Sequence, residues 1–162
     1  MIVVSDTSPV LNLARIGRFE LLALLYKQVI IPTAVYAELT APKRELPAAI
    51  DLASTPWLTV AAPKDHDRVQ ELCEDLDPGE AEAIVLATEF HADLLLVDER
   101  RGRRIAAALG LTVTGLLGVL ADAKKAGLIE RAKPVLDELI QKARFWIGPD
   151  LYREFLAALD EE

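Results

Sequence analysis

Short runs of aliphatic residues recur along this chain, each followed by a stretch with a helical pattern, and this alternation is what most limits its fold. The runs cover residues 1–5, 29–31, 58–60, 94–97 and 111–113. Strands that are apolar throughout are buried on both faces, which is typical of parallel sheets joined by helical crossovers. The sequence therefore predicts an α/β fold, a three-layer α/β/α sandwich with a central parallel sheet.

Capping signals divide the intervening segments into helices. Asp6-Thr7-Ser8-Pro9 opens a helix that closes at Gly17, Thr33 opens another, and Asp77-Pro78-Gly79 is a turn that starts a third. The predicted helices cover residues 9–16, 19–25, 33–39, 48–53, 65–73, 80–87, 103–109, 116–126, 133–143 and 149–159. The aromatic run Phe145-Trp146-Ile147 between the last two is most simply explained as core or interface residues.

Length and composition indicate one globular domain without a membrane segment. The chain has 162 residues and a mass of 17.8 kDa, and 52% of its residues are hydrophobic. No apolar run reaches the roughly 18 residues that a membrane span needs, and the first residues do not resemble an export signal. The single Cys73 cannot form an internal disulfide. We therefore expect a cytoplasmic protein.

Two aspartates follow predicted strands directly. Asp6 comes after residues 1–5 and Asp98 after residues 94–97. Either aspartate alone is explained as a helix cap or as a favourable charge at a helix N-terminus. Two such aspartates in one parallel sheet, however, point to the same edge, where their repulsion must be offset by something positive. A bound cation is the simplest candidate.

Further glutamates extend this candidate site. Glu38 interrupts an apolar helix face, and Glu80 and Glu82 lie in the first turn of another helix, although each is also explained as a solvated or dipole-stabilised residue. The 18-residue step from Glu80 to Asp98 suits a helix followed by a strand, so Glu80 is preferred over Glu82. Oxygen ligands favour Mg²⁺ or Mn²⁺, and the shortage of His and Cys disfavours zinc or copper. Thr7 or Ser8 could position a ligand or water.

Basic residues cluster immediately after Asp98, in the segment Arg100-Arg101-Gly102-Arg103-Arg104. The net charge of −8 argues against binding of nucleic acid through a broad basic surface, so any such binding must be local. The cluster could bring phosphates to a metal held by the carboxylates. Composition alone favours a solvated first helical turn over a phosphate-binding role, and the adjacent acidic residues reduce that preference.

Several stretches of the sequence resemble PIN-domain proteins, of the small prokaryotic kind that includes VapC-like toxins. They are VSDTSP with NLA in residues 4–14, IPTAVYAEL in residues 31–39, and GEAEAI in residues 79–84 leading to LLVDERRGRR in residues 95–104. The GExEAI and VDERRGRR variants resemble a subgroup of nucleic-acid-binding proteins. The resemblance covers residues 1–127, so we expect a PIN-like domain there and, in residues 128–162, a C-terminal helical extension packed on the same domain.

The resemblance implies a metal site and a function. Asp6 would be the first acidic position, Glu38 the second, Glu80 or Glu82 the third, and Asp98 the fourth, gathered around Mg²⁺ or Mn²⁺ to cleave RNA. In this chain the third position is a glutamate where many relatives have an aspartate, and Val97-Asp98-Glu99 lacks the Thr or Ser that many relatives place two residues earlier.

We therefore expect a metal-dependent endoribonuclease, the toxin of a type II toxin–antitoxin pair, that hydrolyses phosphodiesters with a metal-activated water. Its partners would be an RNA substrate, steered by Arg100, Arg101 and Arg104, and a cognate antitoxin. A homodimer could form through residues 21–25 and 35–39, although packing inside the monomer explains the same residues. The alternatives are a non-catalytic PIN-fold module that binds nucleic acid or a partner and, with less support, a metal-dependent phosphatase domain.

Overall fold

A parallel five-stranded sheet forms the centre of the computed structural model, which describes residues 1–44 and 46–162. The strands are β1 (Val3–Ser5), β2 (Val29–Pro32), β3 (Leu58–Ala61), β4 (Leu94–Leu96) and β5 (Val113–Thr114). Their order is β3-β2-β1-β4-β5, and each neighbouring pair is parallel. In register, Val4 of β1 lies opposite Ile30 on one side and Leu95 on the other. The predicted central parallel sheet is confirmed.

Helices follow the strands along the described part of the chain. They are α1 (Thr7–Arg15), α2 (Leu21–Tyr26), α3 (Thr33–Thr40), α4 (His66–Leu72), α5 (Pro78–Glu89), α6 (Arg100–Ala108), α7 (Leu116–Lys125), α8 (Ala132–Lys142) and α9 (Pro149–Ala158). Short 3₁₀ helices cover Pro42–Arg44 and Leu52–Ser54.

The main departure from the predicted helices lies in residues 48–53, where no α-helix forms. The Asp51 side chain accepts hydrogen bonds from the Ala53 N–H at 3.1 Å and from the Ser54 hydroxyl at 2.8 Å. Such local bonds offer the backbone an alternative to a helix. The prediction was also wrong for the start of α6, which begins at Arg100 and so brings Arg100 and Arg101 into the helix.

Alternate residues of the strands pack against helices on opposite faces of the sheet. Val3, Ile31 and Leu96 are buried in one core, which is shared with α1, α2, α7 and α8. Val4 and Leu95 face the other core, where they meet Ile84 and Leu86 of α5 and Ala106 of α6. This alternation follows from the two-residue period of a strand. The predicted three-layer α/β/α sandwich is confirmed.

The C-terminal helices pack into the first of these cores. Leu136 and Leu139 of α8 and Leu156 of α9 are buried in it together with residues of the sheet. These helices therefore share their core with the sheet. The division of the chain at residue 127 stays a prediction. Several of the apolar residues proposed for a homodimer are likewise buried inside the monomer, including Leu22 and Val35.

Leu24 is the most exposed large apolar residue of those two segments, at 63%.

None of the helices in residues 1–44 and 46–162 is long and apolar enough to cross a membrane.

Candidate functional site

Asp6 and Asp98 lie at the same edge of the sheet, as the strand ends predict. Their strands β1 and β4 are neighbours, and the Asp6 N–H donates to the Leu96 carbonyl at 2.9 Å. Asp6 is only 6% exposed, and Asp98 is half-buried. Parallel strands place their carboxyl ends together, which is where ligands bind in open α/β sheets.

Glu38 reaches this edge from α3, and a glycine makes room for it. A Cβ atom added at Gly79, in the first turn of α5, would lie 3.2 Å from Asp6 Oδ1 and 3.3 Å from Glu38 Oε1. Gly79 is itself buried, so a side chain here would press on both carboxylates. The glycine therefore lets two carboxylates from different elements approach the same helical turn.

An open cleft of about 680 Å³ lies at this edge, and we call it the acidic cleft. The carboxylates among its described lining residues are Asp6, Glu38, Asp77, Asp98 and Glu99, and the guanidinium groups are those of Arg15 and Arg144. Thr7 and Ser8, predicted to position a ligand or water, also line it, and the Thr7 hydroxyl oxygen is buried with no hydrogen-bond partner in the part of the chain that the structure describes. Negative charge therefore dominates the cleft.

This arrangement disfavours the ionised form of Asp6. Burial raises its pKa from 3.8 to about 7, a hydrogen bond from the Thr7 backbone opposes the rise, and the negative charges of Asp77, Glu38 and Asp98 add to it. A buried carboxylate beside other carboxylates is unstable as an anion unless a cation accompanies it. The pKa of Asp6 therefore lies near neutral pH in the metal-free protein.

The two oxygen atoms of Asp98 differ in their hydrogen bonding. Its Oδ1 accepts the Leu116 N–H at 2.6 Å at the start of α7, while its Oδ2 is buried with no partner among the described residues. Burial raises the pKa of Asp98, and Leu116, the neighbouring Ser8 hydroxyl and the charge of Arg103 each oppose the rise. The Ser8 hydroxyl in turn accepts from Asn12 Nδ2 at 3.1 Å.

Glu80, predicted as a metal ligand, lies behind the acidic cleft and does not line it. It is 2% exposed and forms a capping box with Asp77, whose Oδ1 accepts the Glu80 N–H at 2.8 Å. Glu80 Oε2 is buried and has no hydrogen-bond partner in residues 1–44 and 46–162, and a Cβ atom at Gly102 would lie 2.5 Å from it. Burial, followed by the charges of Asp77, Glu99 and Asp6, raises the pKa of Glu80.

Asp77 and Glu99 line the acidic cleft although the sequence did not indicate either as a site residue, and for Asp77 the reason is that its role in a turn explained it fully. The structure places Asp77 both at the N-cap of α5 and on the wall of the acidic cleft. A usable signal was present: Asp77 and Glu80 have capping-box spacing, and the helix they start is followed by β4, the strand that leads to Asp98.

Glu82, the alternative third position, points to another element. Its Oε1 accepts hydrogen bonds from the Thr33 hydroxyl and the Ala34 N–H, both at 2.9 Å. These are donors of the first turn of α3, which a carboxylate normally satisfies at a helix N-terminus. Glu82 therefore fixes the start of the helix that carries Glu38, and it does not line the acidic cleft.

The predicted RNA-steering arginines occupy different surroundings. Arg100 lines a second cleft beside the acidic one, whereas Arg101 donates to the Asp75 carbonyl at 3.3 Å. Arg104 is exposed and lines neither cleft. Arg103, which was not singled out, lines the second cleft and lies close to Asp98, since both approach the position of a Cβ at Gly115.

The oxygen atoms of the acidic cleft suit a hard cation more than a soft one. No group of three or more His, Cys, Asp or Glu side chains in residues 1–44 and 46–162 forms a ready-made metal cage. Mg²⁺ does not need one, because it keeps several waters and uses one or two carboxylates. The unpartnered Asp98 Oδ2 and the raised pKa of Asp6 fit that mode. His66 and His91 are exposed, which disfavours zinc.

Comparisons with known proteins agree with this architecture. A family model described as DUF3368, PIN domain, matches residues 2–161, which includes the segment after residue 127. No curated protein sequence matches the chain. Among solved structures, a PilT N-terminus domain protein from the hyperthermophilic archaeon Sulfolobus solfataricus P2 superposes with a TM-score of 0.51. The two sequences are 22% identical, and the match covers 76% of this chain and 93% of that protein, so the likeness concerns the fold.

Proposed function

This chain belongs to the PIN-domain family, whose members are commonly nucleases, and on that premise we propose that it is a Mg²⁺- or Mn²⁺-dependent endoribonuclease. One observation supports the proposal above the others. Asp6, Glu38 and Asp98 come from three separate elements and line one cleft at the carboxyl edge of the sheet. Carboxylates are gathered in this way at considerable electrostatic cost, and a divalent cation offsets it.

Asp6 and Asp98 would bind the ion directly, with Glu38 and Asp77 completing the carboxylate set. When bound, the ion lowers the pKa of a water molecule and offsets the charge that develops on the phosphate. The Leu116 N–H holds Oδ1 of Asp98, and Oδ2 has no hydrogen-bond partner among the described residues, so it is the atom that would meet the ion. Glu80 would act on the site indirectly, because its capping box with Asp77 orients the Asp77 carboxylate. Glu82 contributes by fixing the first turn of α3.

A cleavage assay tests this function. The purified protein is incubated with a varied pool of RNA in Mg²⁺, in Mn²⁺ and in excess chelator. We expect cleavage in the metals alone, and none by Asp98→Asn. The asparagine keeps an oxygen to accept the Leu116 N–H but loses the charge, so this variant should fold normally. Asp67→Asn, an exposed aspartate of α4, is the matched control. Undiminished cleavage by Asp98→Asn would contradict the proposed site.

The biological role that we propose is that of the toxin in a type II toxin–antitoxin pair. Support comes from the family and from the resemblance of the motifs to those of small prokaryotic toxins. Expression of the chain should arrest growth, and co-expression of the product of an adjacent reading frame should relieve the arrest. Growth arrest that persists with Asp98→Asn would argue against an RNA-cleaving toxin.

A second candidate function is a non-catalytic PIN module that binds nucleic acid or a protein partner. Two observations favour it: the described residues contain no preformed three-ligand metal group, and Glu80 is buried behind the cleft. Calorimetric titration with Mn²⁺ beside the cleavage assay separates the candidates. Metal binding without cleavage of any RNA in the pool would support the module and refute the nuclease.

A further inference from the structure

Trp146 stands at the border of the acidic cleft with most of its surface in solvent. It is 83% exposed, more than any other large hydrophobic residue in the described part of the chain. It also lines the second cleft, so the indole borders both. The aromatic run in residues 145–147 was expected to be core or interface, and Trp146 is not in the core of this monomer.

The backbone around Trp146 is built to hold this position. Arg144 has a φ of 57°, in the left-handed region, and turns the chain at the end of α8. The Phe145 N–H then donates to the Leu139 carbonyl at 3.0 Å, and the Phe145 side chain packs against the main core. Phe145 thus anchors the segment; Phe145 and Ile147 are half-buried, whereas Trp146 between them is exposed.

The second cleft differs in charge from the acidic one. It has a volume of about 900 Å³, and its described lining is mostly apolar, with Arg100, Arg103 and Asp98 as the charged residues. Two guanidinium groups against one carboxylate make it locally positive on a chain whose net charge is −8. On the other side of Trp146, Arg144 lines the acidic cleft.

We propose that Trp146 and the second cleft form a nucleotide subsite that binds single-stranded RNA next to the acidic cleft. A base stacks on the indole of Trp146, and the adjoining phosphates meet Arg100 and Arg103. The subsite rests on the proposed ribonuclease function, because it places the strand beside Asp98. Aromatic faces flanked by cationic groups are how proteins hold unpaired bases without reading their sequence.

Single-stranded RNA fits these features better than duplex RNA or a second copy of this chain. The bases of a duplex are stacked on one another, so the face that an indole needs is available only in a single strand, a loop or an end. A second copy of this acidic chain would bring further negative charge, and an apolar dimer face would not need two arginines in its lining. Local positive charge beside an exposed aromatic ring is complementary to a nucleotide.

Fluorescence provides the test, because the chain has two tryptophans and Trp57 is only 8% exposed. A single-stranded RNA octamer is titrated into the full-length protein in Ca²⁺, and tryptophan emission and the anisotropy of labelled RNA are recorded. We expect quenching in the wild type and its loss in Trp146→Ala, with a Kd about 5- to 150-fold higher. Trp146→Phe, which retains a ring, should recover most of the affinity.

Phe90→Ala is the matched control, since Phe90 is 40% exposed at the end of α5 and lines neither cleft. It should bind RNA as the wild type does. The subsite is overturned if Trp146→Ala binds the octamer with unchanged affinity or if duplex RNA of the same sequence binds equally well. It is also overturned if Trp146→Ala converts a dimer into a monomer by sedimentation while leaving RNA affinity intact, since the occupant is then a second copy.

Cleavage in Mn²⁺ separates this proposal from the one on which it rests. If the octamer quenches Trp146 but no RNA is cut, the subsite stands and the ribonuclease function fails. If RNA is cut and Trp146→Ala leaves KM unchanged, the ribonuclease function stands and the subsite fails. With both correct, Trp146→Ala raises KM for single-stranded RNA about 5-fold or more and changes kcat far less.

Discussion

Two carboxylates of this protein are about equally shielded from solvent, yet the pKa of one is raised and the pKa of the other is lowered. Asp6 at the sheet edge is 6% exposed, and Glu161 near the C-terminus is 5% exposed. Burial raises the pKa of Asp6 to about 7, and neighbouring acids add to the rise. The pKa of Glu161 is instead lowered to about 2, because hydrogen bonds from Ala132, Lys133 and Lys124 outweigh its burial.

The partners of the two residues explain the difference. Glu161 accepts the Ala132 and Lys133 N–H groups at 2.8 and 2.9 Å and the Lys124 ammonium at 2.9 Å, so its charge is satisfied within the protein. It fixes the start of α8 to the C-terminal tail. Asp6 instead faces Glu38, Asp77 and Asp98. Glu161 is a buried charge that the protein itself satisfies, which is typical of a structural role, whereas the like charges around Asp6 fit the external cation that we propose.

The largest expected effect is on catalysis. Asp6→Asn should lower kcat for RNA cleavage by about 1000-fold or more, roughly 4 kcal/mol of barrier, because it removes a charge that binds the metal. It should also abolish Mn²⁺ binding in calorimetry while the far-ultraviolet circular dichroism spectrum remains native. Asp67→Asn serves again as the exposed control. Retained cleavage would show that Asp6, like Glu161, is structural.

Glu161→Gln should have the largest effect on stability. Loss of the charge leaves Lys124 and two helix-start N–H groups poorly satisfied, so the free energy of unfolding should fall by about 2 to 4 kcal/mol. Because its pKa is lowered in the folded state, this contribution is present above pH 4.5 and is lost as the pH falls towards 2.

Urea denaturation at pH 7 measures the effect of Glu161→Gln, and the exposed neighbour Glu162 supplies the matched control, Glu162→Gln. Equal midpoints for these two variants would mean that the contacts of Glu161 contribute nothing net.

The pH dependence of Asp6 should have the opposite sign. Because its folded-state pKa is raised, folded Asp6 keeps its proton between about pH 4 and 7 while the unfolded chain loses it, so metal-free stability falls as the pH rises through that window. Asp6→Asn should therefore be more stable than the metal-free wild type at pH 8, by about 2 kcal/mol.

Metal affinity should depend on the protonation state of Asp6 as well. Mn²⁺ binding requires deprotonated Asp6, so affinity should rise up to about tenfold per pH unit below pH 7 and level off above it. Thermal unfolding with and without Mn²⁺ at pH 6 and pH 8 measures both effects. A Tm increase from Mn²⁺ that is larger at pH 6 would contradict the assignment of Asp6.

The smallest expected effect concerns Glu82. Glu82→Ala removes the acceptor for the first turn of α3 and should cost about 1 kcal/mol of stability. It should also weaken Mn²⁺ binding a few-fold, because α3 carries Glu38. Glu89→Ala is a close match on the same helix, since Glu89 accepts the Lys64 and Asp65 N–H groups away from the cleft. It should cost similar stability and leave Mn²⁺ affinity unchanged; equal loss of affinity in both would refute a positioning role for Glu82.

Much of the fold was predictable because strand burial leaves a clear mark in the sequence. The runs in residues 29–31 and 94–97 are apolar on both faces, and this identifies a parallel sheet. The same reasoning placed Asp6 and Asp98 at one edge, since each directly follows a strand. Residues 48–53 were not predictable in this way, because their backbone is decided by hydrogen bonds to the single side chain of Asp51.

The rest of the site depends on side-chain directions that sequence spacing does not determine. Glu80 and Glu82 are two residues apart on α5, and a rotation of about 200° around a helix sends one behind the cleft and the other to α3. Asp77 has a complete explanation as a helix cap, which hides its position on the cleft wall. Trp146 differs from its neighbours Phe145 and Ile147 in exposure through a turn at Arg144 that composition does not reveal.

A crystal structure of the protein soaked in Mn²⁺, with anomalous data collected, shows whether a cation binds between the strand ends. We expect one strong peak in the acidic cleft, with oxygen atoms of Asp6 and Asp98 about 2.0 to 2.3 Å away. No peak in the cleft at saturating Mn²⁺, with Asp6 and Asp98 unshifted, would contradict the proposed metal site.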